Sequence, residues 1–442
     1  MKPPNGLLAS LLALSTPAAA LADGVLPPET LVETLDNGMR LVVVPLDSEL
    51  VNVQARISAG ARDEVTKGTT GYAHFFEHLM FRGSARYTAE QREDALLRAG
   101  AVDNAWTSDD QTNYHITVRA DRLPTILDLE ADRFIRLTLT PDAVRQEAGA
   151  VMGELRKDRS DPGSVIYEAL YATAFTTHPY HHTPIGLEED VLGMADGFEI
   201  AQNFYATFYR PERLTLVIAG GVDPRAVRDM VAERFAAWSP PLKEAPPIPE
   251  EPAQTAPRRD TIDWAGDVSD QVAIGWKAPA FSPTSKESAA LVLAQALLTA
   301  RAAPLTQTLV QEKRLAQGVW GDRPTRIDPG LLALFITLRE GADPAEVEAL
   351  VEEAVVALRA VSPQALEAAK ARTRRQLLLS LGDPAGWAGN MAWYATVGEG
   401  PASMEAYLET LASVTVDDLT AAVSTWLIPT QRTTIVLIGE GA

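Results

Sequence analysis

Apolar and polar residues alternate with period two through Val51, Val53, Ala55 and Ile57, and again through Val272, Ile274 and Trp276. That rhythm predicts two strands, each in a sheet with one buried face. "MRLVVVP" (Met39 to Pro45) supplies a further strand just before the first of them. A helical pattern follows each: the short stretch Gly71–Gly83 in one half, and Ser285–Ala300 in the other. Further on, "HITVRADRLPTILDLEADRF" from His115 and "FITLREGADPAEVEALVEEAV" from Phe335 both read as a strand leading into an amphipathic helix. Each half closes on nearly the same letters, Arg213-x-Thr215-x-Val217-x-x-Gly220 and Arg432-x-Thr434-x-Val436-x-x-Gly439. The matches recur in the same order, which predicts an α+β protein of two homologous domains, each a mixed β-sheet with helices packed on one face.

Proline punctuates the chain between the halves. "SPPLKEAPPIPEEPAQTAPRRD", residues 239–260, cannot sit in helices or central strands and reads as an extended linker. The domains it separates are assigned to 31–238 and 261–442. Residues 1–22, "MKPPNGLLASLLALSTPAAALA", have a lysine near the start, an apolar run from Leu7 to Leu14 and a small-residue A-x-A end. They predict a cleaved signal peptide. The 442 residues contain no cysteine, so neither disulfides nor lipid attachment at a thiol is expected, and the periplasm is the predicted compartment. No later stretch is apolar over 18 residues, so no membrane span is expected after cleavage. A formal charge of −20 argues against nucleic acid, because no basic stripe is there to meet phosphates.

The candidate chemistry lies in "GYAHFFEHLMFRG". It predicts one short helix, capped by Thr69 or Thr70 and closed by Gly83. His74 and His78 are one turn apart on one face, with Glu77 beside them, an H-x-x-E-H order suited to a zinc ion holding a water. Only 6 histidines occur in the chain, so two on one helix face carry weight. A third ligand is still required. "LTPDAVRQEAGAVMGELRKD" predicts a second helix, with Thr140 as cap and Pro141 in its first turn. Glu147 and Glu154 are seven apart on it, so they share a face. The matching helix of the second half has neither His nor Glu at such spacing, which confines the metal chemistry to the first domain.

With these residues in place the sequence resembles the pitrilysin/insulinase peptidases, and among them the processing-peptidase-like bacterial members of about half length. Their H-x-x-E-H is followed downstream by a ligand glutamate, with another acid seven residues before it, as in His74, Glu77, His78, Glu147 and Glu154. The family's N-A-x-T stretch matches "NAWT", Asn104, Ala105, Trp106 and Thr107. The resemblance implies a LuxS/mitochondrial-processing-peptidase-like metallohydrolase fold and a zinc metalloendopeptidase. It further implies one Zn2+ per chain on His74, His78 and Glu154, with Glu77 as the catalytic base and Glu147 supporting the site without ligating. Asn104 to Thr107 would pair through their backbone with extended or unfolded peptides, giving broad specificity. His115 is expected to be structural, and Thr177–Gly186, with three more histidines, to be a loop near the cleft.

One departure from the family pattern bears on partners. An Arg and a Tyr seven residues apart are expected in the second half, but Val310 and Gln317 stand at the matching positions. A homologous partner chain supplying that pair, in a heterodimer rather than a homodimer, is the resulting expectation. The alternatives are a non-catalytic peptide-binding or assembly subunit, and a maturation protease dedicated to one exported precursor.

Overall fold

Two mixed β-sheets frame the protein, one from each half of the chain. The computed structural model describes residues 24–398 and 400–440, so the leader expected over 1–22 lies outside the described residues. The first sheet runs, from edge to edge, β1 (Leu31–Thr34), β2 (Arg40–Pro45), β6 (Leu214–Gly220), β3 (Leu50–Ile57), β5 (Thr112–Arg119) and β4 (Val102–Thr107). The second runs β7 (Arg258–Trp264), β11 (Arg432–Gly439), β8 (Gln271–Ala278), β10 (Gly330–Leu338) and β9 (Ala316–Asp322).

Leaving β1 aside, the two orders correspond strand for strand. In each half the last strand inserts between the first two, parallel to one and antiparallel to the other. The repeated letters belong to these inserted strands, β6 and β11, and their final glycines have the same steric cause. A Cβ on Gly220 would lie 2.2 Å from the Leu50 carbonyl oxygen, and one on Gly439 2.2 Å from that of Val268. The chain is therefore a duplicated α+β fold, as the periodicity predicts.

Helices follow the strands. The first half holds α1 (Tyr72–Leu79), α2 (Ala89–Ala99), α3 (Leu123–Ile135), α4 (Pro141–Arg159), α5 (Pro162–Ala174), α6 (Glu188–Gly193), α7 (Phe198–Phe208) and α8 (Pro224–Phe235). The second holds α9 (Lys286–Thr299), α10 (Pro304–Thr306), α11 (Pro344–Ala357), α12 (Pro363–Ser380), α13 (Pro384–Val397), α14 (Pro401–Ser413) and α15 (Val416–Trp426). Segment Lys286–Glu312, with α9 at its start, is apolar enough by composition to resemble a membrane span, and it is largely buried in the second domain's core.

Alternation through β3 predicts one buried face, and here the structure differs. Asn52, Gln54 and Arg56 are as buried as the apolar residues between them. The cause is an exchange of helices between domains. Ala388, Met391 and Ala392 of α13 share a core with Val42, Val44, Val217 and Ala219 on the first sheet. In return, Ile166, Leu170, Tyr171 and Ala174 of α5 pack on Ala273, Leu331, Ala333, Phe335, Ile435 and Leu437 of the second. Each sheet thus has its own helices on one face and a helix of the other domain on the opposite face.

The Pro-rich segment is extended, but β7 already begins at Arg258, two residues before the expected end of the linker. It is also fastened down. Glu251 accepts from the backbone N–H groups of Thr176, Thr177 and His178 at 2.9–3.1 Å.

Candidate metal centre

Helix α1 buries Tyr72, Ala73, Phe75, Phe76 and Leu79, which leaves His74, Glu77 and His78 on the opposite, half-buried face. Its start is not built as the sequence suggests. The N-cap is Gly71, in the left-handed region at φ 85°, and neither Thr69 nor Thr70 caps the helix. The buried N–H groups of Gly71 and Ala73, which have no acceptor within the helix, go instead to the carboxylate of Glu64, at 2.7 and 2.6 Å. Thr70 is held by Asp190, which accepts from its N–H and its hydroxyl at 3.1 and 2.7 Å. The helix ends at Leu79, ahead of Gly83.

Helix α4 does start as predicted, with the Thr140 hydroxyl accepting from the Ala143 N–H at 3.1 Å and Pro141 in the first turn. It lies against α1, and its periodicity turns both glutamates toward the histidines. Glu154, half-exposed, brings Oε2 to 3.3 Å from His74 Nε2 and Oε1 to 3.6 Å from His78 Nε2. The two Nε2 atoms are 3.3 Å apart.

These spacings test the fit to a metal. A tetrahedral ion with ligand bonds of about 2.0–2.1 Å has donor–donor edges of about 3.3–3.4 Å. Two imidazole Nε2 atoms 3.3 Å apart, with the two oxygens of one carboxylate at 3.3 and 3.6 Å from one each, therefore suit a zinc-sized cation. The supporting residues agree. Glu147, buried on α4, sits 3.1 Å from His78 Nδ1 and pairs through its other oxygen with Arg82. A proton held on Nδ1 leaves the Nε2 lone pair free to face Glu154. Burial, with a smaller effect from His78, pushes His74 down to about 4, so its ring is neutral at pH 7.

Glu77 is not part of the donor group. Its Oε2 accepts from the Thr107 hydroxyl at 2.6 Å. Burial raises its carboxyl above the ordinary value, with Glu154 adding to the effect and the Thr107 bond opposing it. Thr107 ends β4, the edge strand that also carries Asn104, Ala105 and Trp106. Pairing with β5 places Thr107 on the α1 side of the sheet and Trp106 on the other.

A cavity of about 580 Å³ opens over His74, Glu154 and Thr107. Thr183, Pro184 and Ile185 of the histidine-rich loop line it, as expected of a segment near the cleft. Two of the three histidines of that loop are engaged elsewhere: His178 bonds Asp328 at 2.9 Å, and His182 is buried 3.7 Å from Glu64. His115 sits on β5, level with Gln54 and Asn104.

Three contributions escape the sequence reading. Glu64 and Arg82 support the ligand helices from beyond the motif, and Trp320 reaches the cavity from β9 of the second domain, stacked on Phe335 with centroids 4.0 Å apart. An aromatic on an edge strand was the available signal for Trp320. Val310 packs against the second core, and Gln317 donates to Ser269 Oγ and the Leu338 carbonyl at 2.7 and 3.0 Å.

Comparison with known proteins bears on this geometry. Residues 42–186 match the family described as Insulinase (Peptidase family M16), and residues 198–373 the one described as Peptidase M16 inactive domain. The chain is similar to the zinc protease PqqE of Helicobacter pylori (strain ATCC 700392 / 26695), 29% identical over 442 aligned residues, or 97% of each protein. It is 30% identical over 277 residues to the probable mitochondrial-processing peptidase subunit beta of Arabidopsis thaliana, covering 61% of this chain and 50% of that one. The crystal structure of a protease from Helicobacter pylori aligns with a TM-score of 0.88 and 26% identity, over 93% of this chain and 100% of that one.

Proposed function

The chain belongs to the insulinase family, peptidase family M16, and from that premise we propose that it is a zinc-dependent endopeptidase acting on extended or unfolded peptides. In this reading His74, His78 and Glu154 hold one zinc ion, and Glu77 is the catalytic acid–base residue. A zinc ion there would supply Lewis acidity, polarising a peptide carbonyl and easing loss of a proton from water.

The remaining work belongs to the protein's own groups. Glu147 holds the proton on His78 Nδ1 and so aims the ligand nitrogen. Glu77, its carboxyl raised by burial, is suited to take a proton and return it to a leaving amine. Thr107 ties that carboxylate to β4, whose outer edge can receive a peptide as an added strand. Backbone pairing along Asn104 to Thr107 reads shape more than sequence, which supports broad specificity. The observation that carries the reading is that one ligand atom from each of His74, His78 and Glu154 lies within 4.8 Å of the others, with Glu77 just outside the group. Glu77→Gln tests it: zinc content should stay near one per chain while turnover falls at least about 10²-fold.

The active form, in our reading, is a two-chain assembly in which this chain is the catalytic member. Val310 and Gln317 leave it without the expected Arg and Tyr, and Gln317 is committed to Ser269 and Leu338. An identical partner would repeat the lack, so a homologous but different chain is favoured. The Arabidopsis relative is itself named as a subunit. The periplasm remains the proposed compartment, on the strength of residues 1–22. Assaying the purified chain alone and with candidate partners tests the assembly; full activity of the isolated monomer would overturn it.

A further inference from the structure

A second cavity, of about 480 Å³, lies on the other face of the first sheet from the metal group. Arg56, Asn113 and Trp106 stand level across β3, β5 and β4 and form its floor. Trp393 of the exchanged helix α13 and Arg323 of the second domain close it from above.

Arg56 is the unusual group. It is 1% exposed, and its Nε and Nη2 have no hydrogen-bond partner among the described residues. The Trp393 ring centroid is 5.2 Å from its guanidinium carbon, and Asp110 is near enough to oppose in part the effect of burial on its charge. A buried guanidinium without an acceptor costs far more than one that is paired. Burial accordingly draws Arg56 down to about 9.

The carboxylates in the same wall are already engaged. Asp109 accepts from Arg326 at 2.6 Å, and Asp322 from Arg326 and Tyr171 at 3.0 and 2.7 Å. Asp110 accepts from the Tyr180 hydroxyl at 2.5 Å and the Ile327 N–H at 3.1 Å. Among the described residues Arg323 bonds the neutral amide of Gln376, at 3.3 Å, and no carboxylate. Among the described residues no carboxylate of this wall bonds Arg56, and the neutral amide oxygens of Gln111 and Asn113 in the same wall are likewise without a partner, so no anion in the cavity answers its charge.

We infer that this cavity is a subsite for a carboxylate of the bound peptide, held by Arg56 between Trp106 and Trp393. The identification of the ligand as a peptide rests on the peptidase reading. Strand geometry sets where the carboxylate comes from. Arg56 is two strands inward from β4, roughly 10 Å from that edge at about 4.8 Å per strand. A side chain directly opposite Trp106 would not span that distance. The anion therefore belongs to a residue beyond the paired segment, either an acidic side chain or the peptide's C-terminus.

Glu77→Gln full-length chain loaded with zinc separates binding from turnover. Three fluorescently labelled peptides of one sequence are compared by anisotropy: one with an internal Glu and an amidated end, one with Gln and a free C-terminal carboxylate, and one with Gln and an amidated end. On Arg56 chain, one carboxylate peptide should bind at least about tenfold more tightly than the neutral one, and which of the two does so identifies the source. Arg56→Met should bring all three within about twofold. Arg56→Gln, which keeps a donor without the charge, serves as the second variant if the first does not fold. Equal affinities on Arg56 chain, or a preference that survives both substitutions, would overturn the subsite. Wild-type cleavage with equal affinities would leave the peptidase reading standing, whereas Arg56-dependent binding without any cleavage would leave the subsite and remove that reading.

Discussion

Glu77 and Glu147 approach the same pair of imidazoles but have unlike surroundings. Glu147 is enclosed between His78 and Arg82, so both its oxygens are occupied. Glu77 has a single hydrogen bond among the described residues, from the Thr107 hydroxyl. The difference separates two outcomes. Glu77→Gln should spare the metal and remove turnover, as argued above. Glu147→Gln should do the reverse first: the amide cannot satisfy both the imidazole N–H and Arg82 as an anion does. Zinc affinity should fall about 10- to 100-fold, read by competition with a chelator and without any assay of peptide cleavage. Unchanged affinity would mean that His78 needs no help in orientation.

At the level of elements, the metal helix is held by its start rather than by its sequence. Gly71 takes φ 85°, and a Cβ there would lie 2.7 Å from the Ile185 carbonyl oxygen. Gly71→Ala should therefore cost more than about 1 kcal/mol of stability, seen as a lowered melting temperature, with weaker zinc binding as His74 shifts. Glu64→Ala should cost about 0.5–2 kcal/mol or more, because two buried N–H groups lose their acceptor. None of this was legible in the sequence: Glu64 is seven residues upstream and joins the helix only through the turn at Ala61–Asp63. The cap of α4 was legible because Thr140 and Pro141 are adjacent to the helix they start. Helical periodicity likewise fixes His74 against His78 and Glu147 against Glu154, but the choice of Glu154 as third ligand comes from the family resemblance, since nothing in the spacing alone pairs the two helices. The buried polar face of β3 was not, because α13, which covers it, comes from more than 300 residues away. Trp320 was missed on the same ground: its place in the cavity depends on how the second domain docks.

At the scale of the whole molecule, a short loop of the second domain adds polar contacts to the docking made by the exchanged helices. Arg326, Ile327 and Asp328 each bond into the first domain, through Asp109, Asp110, and the pair Arg62 and His178. The same loop supplies Arg323 and Thr325 to the Arg56 cavity and leads out of β9, which carries Trp320. Loosening it should thus affect both cavities. Asp328 offers a clean test. Burial alone would raise its carboxyl, but hydrogen bonds from His178 and Arg62 outweigh that and bring it to about 2, against 3.8 for an ordinary aspartate. A depressed folded-state pKa contributes stability above the unfolded value, and that contribution is lost as pH falls through the folded one. Asp328→Asn should therefore melt below the wild type at pH 7, and the gap should narrow from about pH 4 down to about pH 2, where the wild-type carboxylate is itself protonated. Comparing the two proteins isolates this group from the general acid titration of a chain with a formal charge of −20. A gap that stays constant across that window would mean that the charge of Asp328 does not hold the domains together. If the gap closes as expected, the KM for peptides at pH 7 should also rise in Asp328→Asn while zinc content is unchanged, since Trp320 reaches the metal cavity only when the two sheets keep their docked arrangement.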